Sequence, residues 1–148
     1  MKGFFHFNFG VNLPNEISPR ENLSRFLISK KQFSKTKNLV KPSAFLPPKN
    51  LHLSVFRTEN LPNKTIWEIG LHKVVNRMNP PRTFYARADF LAAIAISLQL
   101  QIVSDNKPIR HANIVGWPEE KSKRKEITLE IAADSNLKLN PLKYQTNQ

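Results

Sequence analysis

Alternating apolar and polar positions mark the clearest strand of the chain, at residues 51–58. One face of this segment carries the aliphatic side chains of Leu51, Leu53 and Val55. The opposite face carries His52, Ser54 and Phe56. A period of two residues is typical of a β-strand, because successive side chains point to opposite faces. The phenylalanine on the otherwise polar face indicates that both faces of the strand are covered.

Four other segments have the composition of strands. They are residues 24–29, 83–88, 100–103 and 109–117. The last two flank a run of turn-forming residues at 104–108, so they are predicted to form a hairpin. The lysine-rich residues 30–37 are interpreted as an exposed basic loop or an irregular strand.

Three segments follow the helical period of 3.6 residues. The first begins near Pro62 and is terminated by Pro80 and Pro81. Its apolar stripe is formed by Trp67, Leu71, Val74, Val75 and Met78. This spacing predicts an amphipathic helix that packs one side against the sheet.

The other two helices are predicted further along the chain. Asp89 is placed to cap a helix that runs through Leu98. Because this helix is apolar nearly all round, we predict that it is buried in the centre of the fold. The last helix opens with Pro118 and runs to about Ala133. Its expected buried residues are Ile127, Leu129, Ile131 and Ala132.

Four or five short strands and about three helices that do not alternate strictly predict an α+β fold, with the helix at about 89–98 in its centre. The length of 148 residues suits one domain. The sequence predicts an irregular N-terminal extension over residues 1–22, a single α+β domain over 23–140 and a frayed tail over 141–148.

The composition narrows the class of protein. The longest apolar stretch, residues 90–98, is about half the length of a bilayer span, so no membrane span is predicted. Cysteine is absent, which excludes disulfides, thiolate nucleophiles and zinc sites built on cysteine. The aromatic N-terminus is interrupted by His6, Asn8 and Asn12 and lacks a cleavage site, so we expect a cytoplasmic protein.

The formal net charge of +12 is the largest departure from an average composition. Such a charge favours association with polyanions: nucleic acid, an anionic membrane or an acidic protein. The first basic segment consists of Lys30, Lys31, Lys35, Lys37 and Lys41. Phe33 lies among them and could stack on an unpaired base while the lysines neutralise phosphates. The alternative is a solvated loop with Phe33 turned into the core.

A second basic segment opens the last helix and consists of Lys121, Lys123, Arg124 and Lys125. Lys121 and Lys125 repel each other at i and i+4, and an anionic partner would relieve that repulsion. The two segments together predict a small nucleic-acid-binding protein, for DNA or RNA. No helix-turn-helix, RNA-recognition or zinc-finger pattern accompanies the charge.

A metal-independent phosphodiesterase or ribonuclease-like enzyme is the alternative. His111 and Asn113 share one face of the strand at 109–117, where they could hold a substrate or transfer a proton. Further groups could converge on them from other strand ends: His52, Arg57, Arg87, Asp89 and Arg110. In that arrangement the histidines would act as acid and base and the arginines would hold the phosphate. The competing interpretation is semi-buried structural histidines, with Asp89 as a helix cap that could pair with Arg87 or Arg110.

Several common sites are not predicted. The four glycines are not clustered, so there is no phosphate-binding loop or dinucleotide fingerprint. No serine nucleophile elbow and no metal-ligand spacing occurs, and the sequence predicts no cofactor. A third hypothesis is an accessory protein that docks on an acidic partner through its aromatic N-terminus.

Overall fold

The structure is a computed structural model that describes residues 13–145. It has eight strands: β1 (Asn22–Leu27), β2 (Phe33–Ser34), β3 (Leu39–Val40), β4 (Leu53–Arg57), β5 (Ala86–Leu91), β6 (Gln101–Ser104), β7 (His111–Val115) and β8 (Asn136–Leu139). Six of them form one antiparallel sheet in the order β6-β7-β4-β1-β5-β8, and β2 pairs with β3 in a separate hairpin. Among the described residues, no helix is long and apolar enough to cross a membrane.

The helices are α1 (Asn63–Ile69), α2 (Ala92–Ser97) and α3 (Lys121–Ala133). A π-helical turn (Gly70–Val74) and a 3-10 turn (Val75–Arg77) continue α1. Further 3-10 turns are Lys30–Gln32, Pro42–Phe45 and Leu142–Tyr144.

Both faces of the sheet are covered by apolar side chains, in two separate clusters. The larger cluster joins Leu23, Leu53 and Val55 of the sheet to Phe45 of the 3-10 turn and Ile131 of α3. We call this side the main face. The smaller cluster lies on the opposite side, where Phe26 and Phe56 pack under α1 and its continuation. We call this side the second face, and it explains why Phe56 interrupts the polar side of β4.

An arginine is inserted where β1 and β4 separate. The Arg25 Nε donates to the Ala44 carbonyl at 2.9 Å, and its Nη1 donates to the Ser54 carbonyl at 3.0 Å. These bonds satisfy a strand carbonyl in place of the sheet ladder. Burial lowers the pKa of Arg25 to about 10, which still leaves the guanidinium charged at neutral pH.

Gly70, which follows α1, is expected to tolerate no side chain. A Cβ at this position would overlap the Phe84 ring and would lie 3.0 Å from Phe26 Cδ1. Gly70→Ala is therefore expected to lower the free energy of unfolding by about 1–3 kcal/mol, as overpacked cores do. Urea unfolding measures this change. Phe84→Leu in the same background should recover part of the loss, and an equally stable G70A variant would contradict the packing.

The α+β class is confirmed, but the predicted count of four or five strands is wrong, because the structure has eight. Sequence patterns missed β8 and the short hairpin of β2 and β3. All three are too short for a clear period: β8 alternates Asn136 and Lys138 with two leucines over only four residues at the sheet edge, and β2 and β3 have two residues each.

The prediction of a central buried helix at about 89–98 is also wrong. Residues 86–91 form β5, and the helix begins only at Ala92, with Ile96 exposed. Five consecutive residues of β5 are buried because the strand is covered on both faces. Such a run lacks the period of two and looks like a buried helix in sequence.

The last helix was predicted with the wrong residue on its inner side. Leu129 is 60% exposed, whereas Thr128, Ile131 and Ala132 are buried. The buried residues follow the i, i+3, i+4 spacing from Thr128, which takes the inward position expected for Leu129, while Ile127, Ile131 and Ala132 pack against the main core as predicted. The Thr128 hydroxyl is satisfied because it donates to the Lys125 carbonyl at 2.9 Å.

Candidate functional site

A cavity of about 830 Å³ lies where β1 ends and β5 begins. Its lining combines two lysines, two aromatic rings and a few apolar and amide groups. The lining residues are Lys30, Phe33, Lys35, Tyr85, Leu139, Asn140, Pro141 and Gln145. We call this feature the lysine–aromatic cavity. No acidic residue occurs among these lining residues, so its charge is positive.

Two aromatic rings form one wall of the lysine–aromatic cavity. The ring centroids of Phe33 and Tyr85 are 6.1 Å apart and the rings are tilted by 44°. Lys30 Nζ lies 5.9 Å from the centroid of the Tyr85 ring, within the range of a cation–π contact. Both rings are only partly buried and pack against the main core. Phe33 therefore belongs partly to the core and partly to the cavity.

Local hydrogen bonds position the lysines. The 3-10 turn that carries Lys30 begins with a capping box in which Ser29 accepts from the Lys31 N–H and the Gln32 side chain accepts from the Ser29 N–H. Lys35 lies in the turn between β2 and β3, which Ser34 stabilises by accepting from the Lys37 N–H at 3.2 Å. These bonds order the backbone that carries Lys30 and Lys35, and both lysines are exposed.

The remaining lysines of the first segment lie around this site. Lys31, Lys37 and Lys41 are exposed and do not line the cavity. Tyr85, which does line it, was missed by the sequence reasoning. Its neighbour Phe84 is fully buried. Because successive side chains of an extended segment point to opposite faces, the Tyr85 ring points away from the cluster that holds Phe84.

The second basic segment does not contribute to the cavity. Arg124 Nη1 donates to the carbonyls of Pro118 and Glu119, at 2.7 and 2.6 Å, so this guanidinium holds the loop before α3. Lys123 Nζ lies 3.6 Å from Glu120 in an exposed ion pair. Lys121 and Lys125 are exposed on α3. The second basic segment thus lies outside the cavity, although α3 packs against β3 and the Pro42–Phe45 turn, next to Lys41.

The arginines proposed to hold a phosphate are occupied inside the protein. Arg57 is 1% exposed and forms a bidentate pair with Glu21, with Nε–Oε1 and Nη2–Oε2 distances of 2.6 and 3.0 Å. Its Nη1 also donates to the Pro14 carbonyl. Arg110 Nη1 donates to the Arg57 carbonyl at 2.9 Å. Burial, and then the nearby Arg57 charge, lower the pKa of Arg110.

Arg87 and Asp89 form a second buried pair, on the second face. Arg87 Nε lies 3.1 Å from each carboxylate oxygen of Asp89, and its Nη2 donates to Asn63 Oδ1 at 2.6 Å. The guanidinium also lies over the Trp67 ring, 4.4 Å from its centroid. Asp89 accepts from the Ser24 hydroxyl at 2.6 Å. Asp89 therefore pairs with Arg87 of the same strand and does not cap a helix.

The convergence expected of the phosphodiesterase site does not occur. Arg57 lies on the main face, whereas His111 and Arg87 lie on the second face with two strands between them. At about 4.8 Å between neighbouring strands, β7 with His111 and β5 with Arg87 are roughly 14 Å apart across the sheet. His52 is exposed before β4 and contacts none of them among the described groups. The aromatic N-terminal segment lies outside the described residues.

The comparisons with known proteins give no relative. No protein-family model, no curated protein and no solved structure matches the chain. Within residues 13–145, no group of three or more histidine and acidic side chains could hold a metal ion.

Proposed function

We propose that the protein binds single-stranded nucleic acid in the cytoplasm and that the lysine–aromatic cavity is where it holds an unpaired base. The observation that supports this proposal is the pairing of Phe33 and Tyr85 between Lys30 and Lys35 in one positive cavity. Single-strand binders combine these same elements, since rings stack on bases of any sequence and lysines neutralise the neighbouring phosphates.

The dimensions of the cavity agree with this ligand. A volume of about 830 Å³ lies within the range of small-molecule sites and accommodates a nucleotide. A duplex would not present an unpaired base to the rings, so the ligand is single-stranded. The amide groups of Asn140 and Gln145 are not arranged as a base-reading pair, because Asn140 donates to two backbone carbonyls. We therefore expect weak sequence preference.

Truncating Phe33 is the direct test of stacking. Phe33→Ala is expected to weaken the affinity for a short labelled oligonucleotide about 5- to 150-fold, which corresponds to the 1–3 kcal/mol of one stacked base. Fluorescence anisotropy at low salt measures the affinity for single-stranded RNA, single-stranded DNA and a duplex of the same sequence. Leu139→Ala is the matched control, because it removes apolar surface from the same cavity without removing a ring.

The salt dependence tests the lysines. Removing Lys30 and Lys35 together should reduce the slope of log affinity against log salt by about 1.4, since each contacted phosphate contributes about 0.7 for single strands. Lys121→Ala with Lys125→Ala removes the same charge from α3 and should change the slope less. Equal effects of the two double variants would show that only net charge matters. Absence of binding to any nucleic acid at low salt would reject the proposal.

A further inference from the structure

Three polar side chains form a continuous hydrogen-bonded chain on the second face, away from the lysine–aromatic cavity. Ser54 Oγ lies 2.7 Å from His111 Nε2, and His111 Nδ1 lies 2.7 Å from Asp105 Oδ1. We call these residues the Ser54–His111–Asp105 network. The order hydroxyl, imidazole, carboxylate and both distances correspond to those of nucleophilic hydrolases, which are recognised by geometry and not by position in the sequence.

The fold holds the imidazole from several sides. Phe56 is directly opposite His111 in the register of β4 and β7, and the two ring centroids are 5.3 Å apart in an edge-on arrangement. The loop between β6 and β7 folds back on the same residue, because the N–H groups of Asp105 and Asn106 both donate to the His111 carbonyl. The histidine and its carboxylate partner are thus fixed by backbone contacts as well as by their own bond.

The protonation states follow from the charge of Asp105. Partial burial opposes ionisation of this carboxyl, but hydrogen bonds from His111 and the Lys107 N–H outweigh it and lower its pKa. An ionised Asp105 can only accept, so His111 Nδ1 carries the proton. In the neutral imidazole, His111 Nε2 then has a lone pair that accepts from the Ser54 hydroxyl. This is the tautomer that a general base for a serine nucleophile requires.

A donor for the developing oxyanion lies beside the serine. Asn113 is the register partner of Ser54 on the neighbouring strand, and residues in that relation have Cβ atoms about 4.5–5.5 Å apart. Its Nδ2 makes one long contact, 3.4 Å to Asp105 Oδ2, so the amide has a further N–H to donate. Side-chain amides serve this purpose in known hydrolases.

Apolar side chains next to Asn113 define where an acyl group would rest. Val103 is the register partner of Asn113 on the outer side and is 49% exposed. Val115 lies two residues beyond Asn113 on the same face and is partly exposed. A substrate with a short hydrocarbon acyl chain would cover these valines. The network itself is half-buried at Ser54 and His111, so a small ester reaches it from solvent.

We propose that Ser54, His111, Asp105 and Asn113 form an esterase site for carboxylic esters of short acyl chains. Ser54 Oγ attacks the carbonyl carbon as His111 Nε2 takes its proton, and the Asn113 amide donates to the resulting oxyanion. The ester C–O bond breaks, and His111 gives the proton to the leaving alkoxide. Water, deprotonated by His111, then hydrolyses the acyl–serine, releasing the carboxylic acid and restoring the Ser54 hydroxyl.

Active-site labelling and ester hydrolysis test this proposal in the full chain. A fluorophosphonate probe is expected to modify Ser54, as located by mass spectrometry, and p-nitrophenyl butyrate is expected to be hydrolysed. Ser54→Ala should abolish both signals, whereas Ser97→Ala, at an exposed serine of α2, should change neither. Modification of another serine, or no modification at all, would overturn the assignment.

Variants of the neighbouring groups separate catalysis from folding. His111→Gln should lower kcat about 10²- to 10⁴-fold, as loss of a general base does, and His52→Gln should leave it unchanged. Asp105→Asn acts through the imidazole and should lower kcat without raising KM, and Asp105→Glu should restore part of the rate. Circular dichroism identifies any variant that fails to fold. Hydrolysis that persists in folded His111→Gln protein would also overturn the proposal.

Discussion

Glu21→Ala is expected to lower the free energy of unfolding by about 3–5 kcal/mol, the loss found when one partner of a buried ion pair is removed. Arg57 is fully enclosed, and within residues 13–145 its one carboxylate contact comes from Glu21. Without that contact the Arg57 guanidinium would remain charged in an apolar setting. Its remaining acceptors would be backbone carbonyls and the Ser104 hydroxyl, which is 3.4 Å away. Chemical denaturation measures the change.

Two controls define the origin of this loss. Glu16→Ala removes the same charge from a neighbouring, exposed side chain, and it should change the stability by less than about 0.5 kcal/mol, as surface substitutions do. The double variant Glu21→Leu with Arg57→Met should recover much of the loss, because apolar residues of similar volume often replace a buried pair without cost. A Glu21→Ala protein as stable as the Glu16→Ala protein would contradict the buried pair.

Asp89→Ala is expected to be nearly as damaging, at about 3–5 kcal/mol, by the same mechanism on the other face of the sheet. It leaves Arg87 with Asn63 and the Trp67 ring as its remaining partners, and it removes the acceptor of the buried Ser24 hydroxyl. Arg87 Nη1 is already without a partner among the described groups, so this guanidinium has no spare acceptor. Thermal and urea unfolding measure the effect.

Asp134→Ala is the matched control for this second pair. Asp134 is exposed just after α3, so its removal should change the stability by less than about 0.5 kcal/mol. Arg87→Met in the Asp89→Ala background should restore stability because it removes the uncompensated charge. A fully stable Asp89→Ala protein would mean that the carboxylate is not needed to compensate Arg87.

Local patterns in the sequence were sufficient to predict part of the fold. The alternation at Leu53 and Val55 predicted β4, and the turn residues at 104–108 predicted the pairing of β6 with β7. The apolar stripe around Trp67 predicted α1 together with its continuation. In each case the side chains that face the core repeat at the period of the element, so nearby sequence carries the information.

The buried arginines could not be found in this way. Arg57 looks like a polar residue at the end of a strand, and its partner Glu21 comes 36 residues earlier, before β1. Only the pairing of β1 with β4, which places Leu23 opposite Arg57, brings the carboxylate into reach. The sequence reasoning treated Arg57 as free to bind phosphate because its internal partner is set by tertiary structure, whereas a pair between Arg87 and Asp89 was among the interpretations that the sequence allowed.

The candidate sites were predictable only in fragments. Phe33 and its lysines were visible as a mixed basic and aromatic segment, but Tyr85 reaches the same cavity from a strand start 52 residues later. His111 and Asn113 were recognised as neighbours on one face. Ser54 and Asp105 were not, because the bond between Ser54 and His111 spans 57 residues and the bond between Asp105 and His111 depends on how the hairpin turn closes.

The position of β1 in the sheet has a consequence for how the chain acquires its structure. This strand comes first among the eight but lies in the interior of the sheet, between β4 and β5, while β8 closes one edge. Strands that are far apart in the sequence must therefore pair before most of the sheet can form. Proteins with such long-range pairing fold slowly. During synthesis, the flank of β5 that β8 later covers stays open to other strands until β8 has left the ribosome.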